Sequence, residues 1–231
     1  MTNLLPLSNL RGEFRDAKRV QQSVLAGVEK KLLIGMARKL PSAINADHLT
    51  LLGFVSMIAA GCAYALTPYW PAALWIVNVM LAFNWFGDSM DGTVARVRNQ
   101  LRPRYGCYVD HIIDALSAVF LFGGLGLSGV MSGVTAMGLL VCYLLLAIQS
   151  YLAAHSLGEF HISWWKFSPT EMRILLAAGN IAAFYRPTTV IFGPRLLFFD
   201  VAGTIGIVCM LIVLAATTIR NTTKLYREER I

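Results

Sequence analysis

Four aspartates, Asp88, Asp91, Asp110 and Asp114, interrupt a stretch of sequence that is otherwise mostly apolar. The first two are three positions apart and the second two are four apart. Side chains at either spacing share one face of a helix. Two neighbouring helices can therefore aim four carboxylates at one point. Such a cluster at the edge of a bilayer repels itself and resists desolvation unless strong positive charge sits within it. Hard oxygen donors suit Mg²⁺ or Mn²⁺, so the pattern reads as a metal-dependent phosphoryl-transfer site. A purely structural reading has the carboxylates paired with Arg96, Arg98 and Arg104. It leaves the glycines among them, Gly92 and Gly106, unexplained.

The rest of the chain must hold those carboxylates in a membrane. Of 231 residues 56% are hydrophobic and only 14% charged, and the mean hydropathy is +0.59. Soluble domains carry roughly a quarter charged residues. A spanning helix needs about 20 mostly apolar residues, and six stretches qualify: 48–66, 70–87, 107–127, 130–153, 171–192 and 196–219. With six spans both termini lie on one side. Of the 20 Lys and Arg residues, all but Arg186 and Arg195 then fall on that side. Basic loops stay cytoplasmic, which puts the termini and all four aspartates in the cytoplasm. The net charge of +7 thus marks topology and anionic lipid, not nucleic acid.

Residues 1–41 form an expected juxtamembrane segment, 42–219 the membrane domain, and 220–231 a basic cytoplasmic tail. Within 12–40, Val20, Val24, Val28 and Leu32 line one face among basic residues, as in an amphipathic helix on the inner leaflet. Pro41 ends it. No cleavable signal peptide is expected, because the first 40 residues lack an apolar core. Asp47 reads as the N-cap of the first span, followed by Thr50. Thr67-Pro68, Pro71 and Gly193-Pro194 mark outer turns. Cys62, Cys107, Cys142 and Cys209 are scattered singly and read as buried small hydrophobes. Trp70, Trp75, Trp85, Trp164 and Trp165 suit interfacial belts. Asp200, near the outer end of the last span, has no assigned role.

The run Asp88-x2-Asp91-Gly92-x2-Ala95-Arg96…Gly106-x3-Asp110-x3-Asp114 resembles the signature of the CDP-alcohol phosphotransferase (CDP-alcohol phosphatidyltransferase) family. Eight positions match within 27 residues. The resemblance implies an all-α integral membrane protein of six transmembrane helices preceded by an amphipathic juxtamembrane helix. It implies that Asp88, Asp91, Asp110 and Asp114 hold two Mg²⁺ or Mn²⁺ ions, which grip the diphosphate of a CDP-linked donor. Asp114 becomes the general base, while Gly92, Ala95, Arg96 and Gly106 belong to the cytidine diphosphate site. A homodimer is implied as well.

Three departures from the usual pattern stand out. Nine residues separate Arg96 from Gly106 where eight are usual. Ala46-Asp47-His48-Leu49-Thr50 replaces Pro-Asn-x-x-Thr. His111 follows Asp110, as in the choline and ethanolamine branch.

The reaction so implied moves a phosphatidyl group from CDP-diacylglycerol to an acceptor alcohol and releases CMP. Arg173, Arg104 and Lys166 are candidates for the acceptor pocket, because arginine suits phosphate. A soluble CDP-alcohol with diacylglycerol is the alternative pair of substrates. From another class, a cation-coupled transporter would place its carboxylates near the bilayer midplane between repeats. Here they sit at the cytoplasmic ends of predicted spans, and no repeat is visible.

Overall fold

The computed structural model describes residues 18–20, 26–157, 159–161, 169–190 and 195–229. Among these residues seven helices carry the fold: α1 (Ala26–Lys39), α2 (Ala46–Leu66), α3 (Ala73–Val97), α4 (Pro103–Leu127), α5 (Gly133–Leu157), α6 (Pro169–Tyr185) and α7 (Phe198–Glu228). Four three-residue strands accompany them. β1 (Lys18–Val20) pairs in parallel with β2 (Glu159–His161), and β3 (Thr188–Val190) pairs antiparallel with β4 (Arg195–Leu197). The second ladder joins α6 to α7. The helix in the fifth predicted span, 171–192, therefore ends early, at Tyr185, and Thr188–Val190 are extended. Gly193 and Pro194 lie outside the described residues.

Helices α2, α4, α5 and α7 are long and apolar enough to cross a membrane. The other two predicted spans differ in kind. α3 carries Asn78, Asn84 and Asp88 along its apolar stretch, and α6 has only 17 residues. Both bury polar groups against neighbours, which keeps those groups out of lipid. Tyr64 Oη donates to Asn180 Oδ1 at 2.6 Å, Asn180 Nδ2 donates to Asn78 Oδ1 at 2.8 Å, and Asn78 Nδ2 donates to the carbonyl of Ala177 at 3.3 Å. That chain ties α6 to α2 and α3. Apolar side chains such as Val141, Leu145 and Ile148 on α5, and Ile205, Val208 and Ile212 on α7, face outward.

α2 is central, packed between α3 and α4; α5 joins α4 to α7, and α1 lies on α3. The main core gathers Ala60, Tyr64, Val77, Leu81 and Leu125, each under 4% exposed. A second cluster seats α1: Leu33 and Ala37 pack with Leu49, Met90 and Val94. The apolar stripe of α1 therefore runs through Leu33 and Ala37, one position on from the face expected, and Leu32 is 53% exposed. The helix expected over 12–40 begins at Ala26 among the described residues, and Lys18–Val20 is extended instead.

Two further boundaries move. The N-cap of α2 is Asn45, not Asp47. The Asn45 side chain accepts from the His48 backbone N–H at 3.1 Å, and His48 Nδ1 accepts from the Asn45 N–H at 3.4 Å, a reciprocal capping box. Asp47 falls in the first turn and pairs with Arg102. At the other end of the chain α7 runs past residue 219 to Glu228, so the described part of the basic tail continues the helix. Asp200 gains a role: its Oδ1 accepts from the Ser132 N–H at 2.8 Å, fastening the start of α5 to α7.

Candidate active site

Glycines let the helices that carry the carboxylates approach at backbone distance. A Cβ placed on Gly87 of α3 would lie 2.5 Å from the Leu49 carbonyl oxygen and 2.6 Å from the Gly53 nitrogen of α2. One on Gly124 of α4 would lie 2.1 Å from the Gly61 carbonyl oxygen. No side chain fits at either distance, so α3 and α4 press on opposite parts of α2, as small residues permit in membrane bundles. Asn84 Nδ2 adds a hydrogen bond to the Gly53 carbonyl at 3.0 Å.

The turn between α3 and α4 sets the second carboxylate pair against the first. Asn99 takes a left-handed conformation, φ 54°. The Gln100 N–H bonds the Ala95 carbonyl at 2.8 Å and the Asn99 N–H bonds that of Arg96 at 3.2 Å, which is a Schellman stop. Pro103 then starts α4 at a position where its missing N–H has no helical partner to lose.

As a result Asp88, Asp110 and Asp114 each offer a carboxylate oxygen within 4.8 Å of the others. At that separation each like-charged pair costs on the order of 3–4 kcal/mol at an effective dielectric of about 20. Arg173 sets a cation against this repulsion. Arg173, from the first turns of α6, donates from Nη2 to Asp88 Oδ2 at 2.6 Å and from Nε to Asn84 Oδ1 at 2.7 Å. The recess these groups share is also lined by Thr50, Gly53, Phe54, Asn84, Asp91, Ile113 and Ser117. An all-oxygen donor set of converging carboxylates fits a hard divalent ion.

Asp91 lines the same recess but is engaged differently. Its Oδ2 accepts from Thr50 Oγ1 at 2.6 Å, and its Oδ1 accepts from the Gly92 N–H. Thr50, read from sequence as a capping-region residue, thus orients a carboxylate 41 positions away. Asn84 carries no site signal in the sequence, because amide side chains occur throughout such helices, whereas Thr50 matches the threonine of the Pro-Asn-x-x-Thr pattern. The glycines of the motif are of another kind from those of the packing seams. A Cβ on Gly106 would meet nothing within 4 Å, and one on Gly92 would meet only Arg96 Nη2, at 3.7 Å. Their backbone faces open space, with half-buried Ala95 one turn on from Gly92.

The basic candidates separate. Arg173 joins the carboxylates, whereas Arg104 stands exposed on the first turn of α4. Arg98 donates to the carbonyls of Leu40, Pro41 and Ile44, tying the end of α3 to the link before α2. Arg96 Nη2 reaches Thr93 Oγ1 at 3.3 Å. Lys166, Trp164 and Trp165 lie outside the described residues. Trp85 turns its Nε1 to Glu29 Oε1 at 2.8 Å, linking α3 to α1.

Comparison with known proteins identifies the fold and the family. The archaetidylinositol phosphate synthase of Methanothermobacter thermautotrophicus is 30% identical over 148 residues, covering 62% of this chain and 69% of that protein. The crystal structure of Mycobacterium tuberculosis phosphatidylinositol phosphate synthase (PgsA1) with CDP-DAG bound shares the fold, with a TM-score of 0.59 at 19% identity, over 85% of this chain and 94% of that one. Residues 43–219 match the CDP-alcohol phosphatidyltransferase family. With the match spanning most of the chain and containing every aspartate of the cluster, the protein belongs to the CDP-alcohol phosphatidyltransferase family of membrane-bound transferases of phospholipid biosynthesis.

Proposed function

We propose that this protein transfers a phosphatidyl group from CDP-diacylglycerol to a phosphorylated acceptor alcohol, releasing CMP. The observation that carries this reading is the convergence of Asp88, Asp110 and Asp114 beside Arg173. Carboxylates suit the metals that a diphosphate requires, and a guanidinium at the same recess suits a second phosphate. The names of the two relatives, archaetidylinositol phosphate synthase and phosphatidylinositol phosphate synthase, support a phosphorylated polyol as the acceptor.

In this reading α3 and α6 complete a six-helix bundle with α2, α4, α5 and α7, its termini and site cytoplasmic. Asp88, Asp91, Asp110 and Asp114 would hold a pair of Mg²⁺ or Mn²⁺ ions. When bound, such ions neutralise the diphosphate and the developing charge on the leaving CMP. The chain's own residues do the rest. The open backbone at Gly92 and Gly106 gives the nucleotide room to lie along α3 and α4, and Arg173 holds the acceptor by its phosphate. The acceptor hydroxyl oxygen attacks the phosphorus of the phosphatidyl group, and the bond from that phosphorus to the CMP oxygen breaks. Asp114 takes the hydroxyl proton, a contribution of roughly 10²–10⁴-fold for a well-placed base. Thr50 and the Gly92 N–H keep Asp91 turned into the recess.

The test is lipid product formation from CDP-diacylglycerol and Mg²⁺ with acceptors offered singly: inositol phosphate, glycerol phosphate, inositol, serine. Product from a phosphorylated acceptor supports the reading. Product only from unphosphorylated alcohols, or only from soluble CDP-alcohols with diacylglycerol, contradicts it.

A further inference from the structure

We propose that Glu29 of α1 is a positioning residue for the acceptor half of the site, acting through α6. The proposal rests on the reading of Arg173 as the acceptor-phosphate group. Glu29 lies outside the family-matched region, which begins at residue 43. Its Oε1 nevertheless accepts two hydrogen bonds, from Trp85 Nε1 of α3 and from Thr170 Oγ1 of α6, each at 2.8 Å.

Both donors sit beside the site. Trp85 follows Asn84 and precedes Asp88 by three residues; Thr170 precedes Arg173 by three. α3 and α6 are therefore joined twice near the carboxylates. Arg173 makes one link, to Asn84 and Asp88. Glu29 makes the other.

The second link matters because it acts at the near end of α6, whereas Leu176, Ala177 and Phe184 pack the rest of the helix against the core. Its fully buried residues, Asn180 and Ala183, lie in its far half, which contacts through Asn180 and Ala177 fix. At the near end the first turn of α6 is registered by Thr170 on Glu29. α1 is a firm base for that contact, since Leu33 and Ala37 anchor it against Leu49, Met90 and Val94. A rotation of the first turn about the α6 axis would carry Arg173 away from Asn84, and with it the acceptor phosphate. The donor site, built on α3 and α4, would not move.

An acid in the first turn of α1 also complements that helix's own dipole, so the variants must separate charge from hydrogen bonding. Glutamine keeps an oxygen that accepts both bonds and removes the charge. In full-length protein in lipid, with CMP release as the readout and the phosphorylated acceptor that supports it varied, Glu29→Ala raises acceptor KM about tenfold, the scale of one lost net hydrogen bond. Donor KM and kcat stay within about twofold. Glu29→Gln returns acceptor KM close to wild type. Thr170→Val, nearly isosteric, reproduces the effect, and the double variant is no worse than either single one.

Unchanged acceptor KM in both Glu29→Ala and Thr170→Val overturns the proposal, as does an equal loss in donor KM and kcat. Should Glu29→Ala fail to fold, Thr170→Val and Glu29→Gln decide the matter alone. Failure of wild type to release CMP is a different outcome: it overturns the proposed function itself.

Discussion

Arg173 Nη2 rests 2.6 Å from Asp88 Oδ2, so a cation from α6 is bound into the carboxylate cluster of α3 and α4. The pair is well shielded, with side chains 17% and 28% exposed. A cation in that position competes with a metal ion for the same oxygen. In the proposed reaction it also stands where a phosphorylated acceptor would meet the donor.

Replacing Arg173 separates these two effects. Arg173→Gln is expected to raise acceptor KM about 10- to 100-fold, the scale of a lost charge-assisted bond. Mn²⁺ affinity, read by titration calorimetry, should hold or rise because the competing charge is gone. Mn²⁺ affinity falling as far as it does in Asp88→Asn would show that Arg173 supports the metal instead.

Thr50 is the less visible partner. Removing its hydroxyl leaves Asp91 Oδ2 without its donor, and groups that orient metal-binding carboxylates typically contribute about 10–100-fold to affinity or rate. Thr50→Val should lower Mg²⁺ affinity or kcat by about that factor with Tm little changed. Wild-type kinetics in this variant would remove Thr50 from the site.

The α2–α4 seam makes a clean stability comparison. Gly124 and Gly123 are adjacent, yet a Cβ on the first meets the Gly61 backbone at 2.1 Å and one on the second meets nothing within 4 Å. Gly124→Ala should destabilise the bundle by about 1–3 kcal/mol or more, while Gly123→Ala should be neutral or slightly stabilising. Equal Tm values for the two would contradict the packing described here.

By contrast the Asp47–Arg102 pair should matter little. Its side chains are 47% and 52% exposed, and exposed ion pairs contribute about 0–1 kcal/mol. Arg102→Ala should leave Tm and its salt dependence nearly unchanged; a large loss would mean the pair anchors α2.

The carboxylate cluster was legible because four acids in apolar sequence stand out and their spacing obeys helix geometry. Their mutual approach required only that the two helices be neighbours, which the short link between Arg96 and Gly106 enforces. What lay beyond the sequence depended on contacts between distant segments. Gly87 and Gly124 look like any helical glycine until α2 lies against them. The cap shifted from Asp47 to Asn45 because both residues cap well, and the choice turned on His48, which closes the box only from Asn45. The stripe of α1 moved by one position because alanine and methionine positions, passed over beside valines, face the small seat formed by Met90 and Val94. Two predicted spans, α3 and α6, proved to be the helices whose polar side chains bind each other.

In the proposed function the carboxylate cluster serves phosphatidyl transfer with a divalent ion. The most direct measurement is CMP release by the purified protein in lipid, with CDP-diacylglycerol and a pool of acceptors, with Mg²⁺ or with chelator, for wild type and Asp114→Asn. Mg²⁺-dependent CMP is expected from wild type, with a loss of at least about 10²-fold in the variant. Equal CMP release from folded Asp114→Asn, or release that persists in chelator, would contradict it.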